Sequence, residues 1–313
     1  MTPYLTHLPD IRRRARASLL GLAIGDALGA TVEFMTASEI RTKYGVHRKL
    51  TGGGWLGLRP GAVTDDTQMS LCVARSIVGG CFSAEDIARR FVAWYLSRPP
   101  DIGNTCRRGI ARFMNHRTVH GPPNEGDAGN GAAMRMAPIA LATVADARLL
   151  EEHSIEQAHI THHHPLSDAA CVLIGRLIQL ALIGHAMQRL RRQADAAIGE
   201  YPNFRFVPYH GLSTAYVVDT MQTVLHFLFA TSSFEQCLIA TVNQGGDADT
   251  TGAIVGAIAG AYYGLDAIPR EWLRKLDPMV RDELESLADR LIDGSPLARG
   301  EPVSLGLASE AIA

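Results

Sequence analysis

The segment NQGGDADTTGAIVGAIAGAYYG (243–264) places two aspartates and two threonines directly before an almost wholly apolar helical pattern. Glycines recur at every fourth position from Gly252 to Gly264. Because four residues is close to one helical turn, these glycines lie along one stripe, where a second helix can approach closely. A stripe with the same spacing runs from Gly21 to Gly29. The two stripes predict two tightly packed central helices.

Helical periodicity recurs along the rest of the chain, whereas alternating strand patterns are scarce. The helical patterns cover residues 17–29, 69–79, 84–96, 168–190 and 215–230. Ser83 and Ser233 each precede an apolar-periodic run, as N-cap residues do, and proline pairs at 99–100 and 122–123 end or separate helices. We therefore predict an all-α protein.

No composition shift marks a linker, so we predict one compact domain over residues 17–295, flanked by an N-terminal tail (1–16) and a C-terminal tail (296–313). A formal net charge of −2 gives no basic field for binding nucleic acid or an anionic membrane. Five cysteines, odd in number and without a CxxC pair, are typical of a reduced cytosolic protein.

The N-terminal region resembles an export signal, because a basic run precedes the apolar residues from Leu19 to Gly25. That apolar run is short and ends at Asp26, which favours a core helix instead. The longest later apolar run, from Ala253 to Tyr263, is well below the roughly 20 residues of a membrane helix. We expect a soluble, cytoplasmic protein.

A second acidic junction, TDDTQMSLCVARSIV (64–78), again places carboxylates before an apolar helix. Capping is the simpler interpretation, since Asp and Thr at a helix start accept hydrogen bonds from free N–H groups. A cap needs one such residue, however, and each junction crowds two carboxylates whose repulsion favours a bound cation. We favour a metal site and keep capping as the alternative. The oxygen donors of the two junctions are Thr64, Asp65, Asp66, Thr67, Asp247, Asp249, Thr250 and Thr251.

A donor set made only of oxygen atoms selects Mg²⁺, Mn²⁺ or Ca²⁺ over Zn²⁺ or Cu²⁺. Two converging junctions could hold a pair of ions about 4 Å apart. An EF-hand is excluded, because Ile258 stands where that loop requires a bidentate Glu. Met69 breaks the DDxxD pattern of terpene synthases, and no glycine-rich nucleotide-binding motif is present.

Other polar residues stand in apolar or loop surroundings. Asp26 and Glu33 would share one helix face if their helix continued, and the alternative is a buried Asp satisfied by the backbone or a lysine. The Gly/Asn-rich loop 125–135 could offer bare N–H groups to a phosphate. Of the adjacent histidines at 162–164, we expect one to reach a pocket and two to serve structure or solvent.

Taken together, several motifs resemble those of the ADP-ribosylglycohydrolase family. They are GLAIGDALGATVEF, TDDT, GNTCRRG, EGDAGNGAAMR, THHHPLSDAA and NQGGDADTTG. The motifs are long, ordered and specific, and they extend from about Ala17 to about Leu291. Within the family they are most similar to those of members from nitrogen-fixing bacteria. The resemblance implies an all-helical fold with a binuclear Mn²⁺ or Mg²⁺ centre at the bottom of a cleft.

The resemblance also implies roles for individual residues. Glu33 resembles a gating or catalytic acid beside the ions, and Asp101 resembles a residue near the modified arginine, so either could move the proton. His163 departs from the family pattern, which leaves open which of the three adjacent histidines enters the pocket. The implied metal ligands are Thr64, Asp65, Asp66, Asp247, Asp249 and Thr250. The implied substrate-binding residues are Asn104, Glu125, Gly129, Asn130, Gly131, Ala132, His162 and Tyr216.

The implied reaction is hydrolysis of the N-glycosidic bond between arginine and ribose, in which the cations orient the ribose and acidify a water. The implied substrate is an ADP-ribosylated protein, expected to be nitrogenase iron protein, which the hydrolysis would reactivate. A PII signalling protein and an ammonium channel are implied as regulatory partners that bring the enzyme reversibly to the membrane. Two alternatives stay open: hydrolysis of another ADP-ribose linkage, and a non-catalytic relative that only binds ADP-ribose.

Overall fold

The computed structural model of the chain describes residues 7–304. Within that range the chain forms no strand, and its β-pairing is limited to isolated bridges. The predicted all-α class is therefore confirmed. The α-helices of this range are α1 Leu8–Gly29, α2 Ala37–Tyr44, α3 Asp65–Val78, α4 Ala84–Leu96, α5 Asn104–His116, α6 Ala137–Ala142, α7 Ala147–His159, α8 Pro165–Leu182, α9 Met187–Glu200, α10 Val217–Ala230, α11 Phe234–Val242, α12 Ala248–Tyr263, α13 Arg270–Lys275 and α14 Pro278–Asp293.

The centre of the fold is the antiparallel pair of α1 and α12, which contact each other through their glycine stripes. A Cβ placed on Gly25 would lie 1.9 Å from the carbonyl oxygen of Gly252, and one on Gly256 would lie 2.1 Å from that of Gly21. The two backbones therefore touch directly, as the glycine spacing predicts. The stripe stops before Gly264, which ends α12 with a φ of 81° and faces open space.

This helix pair brings the acidic junctions to one end of the molecule. The end of α1 packs on the start of α12, because a Cβ on Gly29 would lie 2.2 Å from the carbonyl oxygen of Ala248. Beyond α1, the N–H of Phe34 donates to the carbonyl oxygen of Gly246, 2.7 Å away, just before α12 begins. Glu33 consequently lies beside the start of α12, although α1 ends four positions earlier.

Helix boundaries differ from the sequence-based expectation at several places. The single pattern predicted over 168–190 is wrong, because α8 ends at Leu182 and the chain turns at Gly184, whose φ is 85°, before α9 begins. Asp26 and Glu33 do not share a helix face, since α1 ends between them. The predicted N-caps are confirmed: Ser83 accepts from Asp86 N–H and Ser233 from Gln236 N–H, both at 3.2 Å.

The domain limits stay a prediction. Helix α1 begins at Leu8, inside the predicted N-terminal tail, and α14 ends at Asp293, shortly before the predicted C-terminal tail. Residues 1–6 and 305–313 of those two tails lie outside the described residues.

One described helix, α8, is long and apolar enough to cross a membrane by length and composition. However, 67% of that helix is buried inside the fold, as is typical of a core helix in a globular protein.

The contact between the glycine stripes generates a stability prediction. Gly25→Ala forces a methyl group onto the backbone of α12, so we expect the free energy of unfolding to fall by more than about 2 kcal/mol. The control is Gly199→Ala, because Gly199 lies in α9 with no atom within 4 Å of an added Cβ. That variant should be unchanged or more stable by up to about 1 kcal/mol in urea titrations. Equal stability of the two variants would contradict direct backbone contact.

Candidate active site

A cleft of about 380 Å³ opens where the two acidic junctions meet. The residues predicted from sequence that line it come from six separate parts of the chain. They are Glu33, Asp65, Asp101, Asn104, Gly129, Asn130, Gly131, His162, Asp247, Asp249 and Thr250. The converging arrangement expected of a metal and substrate site is thus present in the fold.

Other predicted site residues lie outside the cleft wall. Asp66 lies behind it and is 1% exposed, and Ala132 is fully buried. Tyr216 is 42% exposed and follows Ala215, which does line the cleft. Glu125 is placed away from the cleft: its side chain is fully exposed and lies 3.4 Å from the His164 ring. The geometry therefore gives no support to Glu125 as a substrate ligand.

The start of α3 is capped from another helix. Asp26 of α1 accepts hydrogen bonds from the backbone N–H groups of Thr64 at 3.0 Å and Thr67 at 3.1 Å, and also from both threonine hydroxyls. Asp65 and Asp66 therefore do not cap α3, and the capping interpretation is wrong for this junction. Spacing within one segment could not reveal this, because Asp26 lies in a different helix.

Thr64 donates hydrogen bonds to Asp26 in this capping arrangement. Its hydroxyl lies 2.9 Å from Asp26 and 3.1 Å from Asp66, so it orients carboxylates. At the other junction, Asp249 accepts a hydrogen bond from the adjacent Thr250 N–H at 2.9 Å. Asp247 instead accepts from the Asn130 side chain at 2.6 Å.

The carboxylates of the cleft are buried together, and their pKa values reflect this. Burial, followed by repulsion from neighbouring carboxylates, raises the pKa of Asp65 to about 7 and that of Glu33 to about 8. The pKa values of Asp66 and Asp249 lie well above their ordinary value for the same two reasons. Each of these carboxyl groups is therefore costly to ionise without a compensating positive charge.

The donor set fits a hard divalent cation. The Oδ1 atom of Asp66 is buried and has no hydrogen-bond partner among the described residues. One ligand oxygen each from Glu33, Asp101 and Asp249 lies within 4.8 Å of the others, which is close enough to hold one ion. This group combines a predicted metal ligand with the two predicted catalytic acids.

Glu33 is held by an aromatic residue that the sequence analysis missed. The Trp55 indole N–H donates to the Glu33 carboxylate at 2.6 Å, and the Trp55 ring lies 5.3 Å from that of Phe34. Both aromatic rings line the cleft. The sequence contains one signal, a tryptophan that directly follows three glycines (52–54). These glycines have positive φ angles, which allow the tight loop that carries Trp55.

The three adjacent histidines have three different environments. His162 lines the cleft. The Nδ1 atom of His163 lies 2.6 Å from the Gly121 carbonyl oxygen, and its ring stacks on His159 at 3.6 Å. His164 caps α8 by accepting from Leu166 N–H at 3.1 Å. The expectation of one histidine in a pocket and two in structural positions agrees with this placement.

The chain is similar to known proteins of one family. The profile of the ADP-ribosylglycohydrolase family matches residues 7–300. The chain is 55% identical to ADP-ribosyl-[dinitrogen reductase] glycohydrolase of Rhodospirillum rubrum, over 91% of this chain and 97% of that protein. It is 31% identical to ADP-ribosylarginine hydrolase Tri1 of Serratia proteamaculans, over 90% of this chain and 80% of that protein.

A solved structure described as an ADP-ribosylglycohydrolase-related protein complex is similar in fold, with a TM-score of 0.80 and 34% sequence identity. The match covers 91% of this chain and 99% of the solved chain. The helical architecture, the acidic cleft and these similarities agree with one another. The chain belongs to the ADP-ribosylglycohydrolase family and is a hydrolase of that family.

Proposed function

We propose that this protein removes ADP-ribose from an ADP-ribosylated arginine of a target protein in the cytoplasm, and that nitrogenase iron protein is the target. The observation that carries the proposal is the 55% identity, over 91% of the chain, to the R. rubrum ADP-ribosyl-[dinitrogen reductase] glycohydrolase. The cleft supports it, because the carboxylates of both junctions lie together in it or directly behind it.

The residues that would hold two Mn²⁺ or Mg²⁺ ions are Asp65, Asp66, Asp247, Asp249 and Thr250, joined by Glu33 and Asp101 from the group of three close carboxylates. When bound, such ions supply positive charge that orients the ribose hydroxyls and lowers the pKa of a nearby water. Oxygen-only ligands favour these hard cations over Zn²⁺ or Cu²⁺.

The protein residues bind and orient the substrate around that centre. Gly129 and Gly131 expose backbone to the cleft, where a diphosphate could approach closely. Asp101 and Asn104 line the same cleft and would face the guanidinium group, which a carboxylate can pair with two hydrogen bonds. Asp101 is therefore the residue that favours an arginine linkage over a serine linkage.

Cleavage of the C–N bond transfers a proton to the departing guanidine, while water adds to the anomeric carbon. Without a bound cation, burial and nearby carboxylates raise the pKa of Glu33 to about 8, and we propose Glu33 as the group that carries this proton. Burial also raises the pKa of Asp101, so both residues remain candidates for this step.

The direct test is incubation of ADP-ribosylated nitrogenase iron protein with the Mn²⁺-loaded enzyme. We expect release of ADP-ribose and recovery of nitrogenase activity, with much slower turnover of a serine-linked peptide. No release from the Mn²⁺-loaded enzyme would refute the proposal, and equal turnover of both linkages would refute the arginine preference. A PII protein and an ammonium channel as partners stay predictions, which co-precipitation with PII can check.

The two acids can be separated by kinetics. Substitution of the residue that moves the proton should lower kcat by about 10²- to 10⁴-fold. On the pKa argument this residue is Glu33, so we expect that loss for Glu33→Gln. Asp101→Asn should instead raise KM for the arginine-linked substrate more than it lowers kcat, because it weakens guanidinium binding. The opposite split between the two variants would reverse the assignment.

A metal site and a helix cap make different predictions for Asp249→Asn. The variant removes one of several crowded charges, so in EDTA we expect it to be at least as stable as the wild type. Free Mn²⁺ at 100 times its dissociation constant should stabilise the wild type by about 2.7 kcal/mol. The variant should lose most of that gain in scanning calorimetry, together with its turnover.

The matched control is Asp146→Asn, since Asp146 caps α7 by accepting from Leu149 N–H at 2.9 Å. Loss of this cap should lower stability equally with EDTA and with Mn²⁺, and should leave the Mn²⁺ gain intact. If Asp249→Asn behaves like Asp146→Asn, the metal assignment of Asp249 is wrong.

The raised pKa values also predict how stability depends on pH. In EDTA the native state binds more protons than the unfolded state, because the pKa values of Asp65 and Glu33 are raised to about 7 and about 8. Stability should therefore fall as pH rises through that window. Melting temperatures measured between about pH 6 and about pH 8.5 check this, and Glu33→Gln should show a smaller fall. A melting temperature in EDTA that rises across the window would contradict the prediction.

A further inference from the structure

A fully buried arginine lies beneath the glycine loop of the cleft. Arg135 is the largest fully buried side chain of the described residues. Among the described residues, its hydrogen bonds go to uncharged groups. It donates to the side chain and carbonyl oxygen of Gln157, at 2.8 and 3.0 Å, to the Gly131 carbonyl oxygen at 3.0 Å, to the Thr161 hydroxyl at 2.8 Å and to Cys106 Sγ at 3.8 Å. The guanidinium also lies 4.7 Å from the Phe91 ring. Burying a cation without a carboxylate partner is costly, which indicates a role beyond packing.

The guanidinium contacts the glycine loop and the residue that precedes His162. One Nη atom donates to the carbonyl oxygen of Gly131, within the glycine loop. The other donates to the hydroxyl of Thr161, which precedes His162. The Thr161 Oγ1 atom in turn lies 2.8 Å from Nδ1 of His162. A continuous chain of hydrogen bonds therefore leads from Arg135 to a ring that lines the cleft.

The direction of each hydrogen bond in this chain follows from donor chemistry. An arginine N–H can only donate, so Thr161 Oγ1 accepts from Arg135. Its own hydroxyl hydrogen then needs an acceptor, and the one partner that the described residues offer is Nδ1 of His162. A ring nitrogen that accepts carries no proton, so the proton of a neutral imidazole lies on Nε2.

The surroundings keep this imidazole neutral. His162 is 2% exposed. Burial, followed by the positive charges of Arg135 and Arg108, holds the pKa of His162 well below its ordinary value. A cationic ring would also place a second donor against the Thr161 hydroxyl, which would then lose its acceptor.

The Nε2 edge of His162 lies against the glycine loop. A Cβ on Gly129 would stand 3.0 Å from Nε2, and one on Gly131 would stand 2.9 Å from the adjacent Cε1. Among the described residues, none forms a hydrogen bond with Nε2. The Nε2 atom therefore lies beside the two glycines that line the cleft.

We propose that Arg135 is a positioning residue. Through the Thr161 hydroxyl it fixes His162 as the neutral Nε2–H tautomer, and His162 in this form donates a hydrogen bond to an anionic diphosphate oxygen at the glycine loop. The nature of the anion rests on the proposed function, whereas the tautomer follows from the geometry of these residues alone. Arg135 thus acts without touching the substrate.

The tautomer is tested by NMR on ring-¹⁵N-histidine protein loaded with Mg²⁺, with the His162 signals assigned by their loss in His162→Gln. Long-range ¹H–¹⁵N spectra distinguish protonated from unprotonated ring nitrogens. We expect a protonated Nε2 in the wild type and in Thr161→Ser, which keeps the hydroxyl, and loss of this preference in Thr161→Val. A wild-type His162 that is protonated on Nδ1, or is cationic at neutral pH, would overturn the proposal.

Arg135→Lys tests whether the chain of hydrogen bonds depends on Arg135. One ammonium group cannot replace the planar guanidinium, which donates to both Gly131 and Thr161. We expect the Nε2–H preference of His162 to weaken in this variant. A folded Arg135→Lys protein with the wild-type His162 spectrum and wild-type ADP-ribose affinity would remove Arg135 from the mechanism. If this variant does not fold, the Thr161 pair decides the question.

Calorimetry tests the anion. Thr161→Val should weaken ADP-ribose binding by about tenfold, the effect of misdirecting one hydrogen bond to a charged group, and should leave adenosine binding unchanged. The control is Thr143→Val, because the buried Thr143 hydroxyl also accepts from a buried side chain, Gln179, at 3.1 Å. It should lose stability as Thr161→Val does, yet keep wild-type ADP-ribose affinity.

The possible outcomes separate the two proposals. Equal ADP-ribose affinity of Thr161→Val and Thr143→Val would overturn the role of His162 as a donor to the anion. If the wild type binds no ADP-ribose, the proposed function and the assignment of the anion both fail, while the NMR result still decides the tautomer. If ADP-ribose binds and the wild-type tautomer is Nδ1–H, only the inference about Arg135 fails.

Discussion

Direct backbone contact between α1 and α12 sets the geometry on which the cleft depends. Because glycines face each other along both helices, no side chain separates the two backbones and their relative position has little freedom. The chain leaving α1 then passes the start of α12, which places Glu33 beside Asp249. A side chain of even one carbon between these helices would move the two carboxylates apart.

The same rigid frame forces like charges together, which is a cost to the folded state. Carboxylates such as Asp65 and Asp66 are buried, and Asp66 has an oxygen without a partner among the described residues. A fold selected only for stability would not keep this arrangement, because unpaired buried charge is destabilising. The crowding is understandable as preparation for a cation, whose binding offsets the repulsion that the frame imposes.

The sequence predicts those features that depend on local spacing or on well-marked motifs. The glycine stripes, the serine caps and the two acidic junctions are of this kind, and the structure places them as expected. Features that depend on residues far apart in the chain were missed. The hydrogen bonds of Asp26 to Thr64, and of Trp55 to Glu33, join different segments, and no periodicity within one segment reports them. The break between α8 and α9 was missed because the apolar pattern continues past the turn at Gly184.

The cap that Asp26 provides to α3 has a consequence for the order of folding. The first turn of α3 contains residues that repel each other, and it takes its cap from Asp26, 38 positions before Thr64 in the chain. An isolated segment 65–78 would therefore lack the cap that Asp26 provides to its first N–H groups. The acidic start of α3 should take shape only after α1 has docked, so this half of the cleft is expected to form late and to open first in local unfolding. A cation that binds there would act on the last step of assembly, and its main effect on folding kinetics would be to slow unfolding.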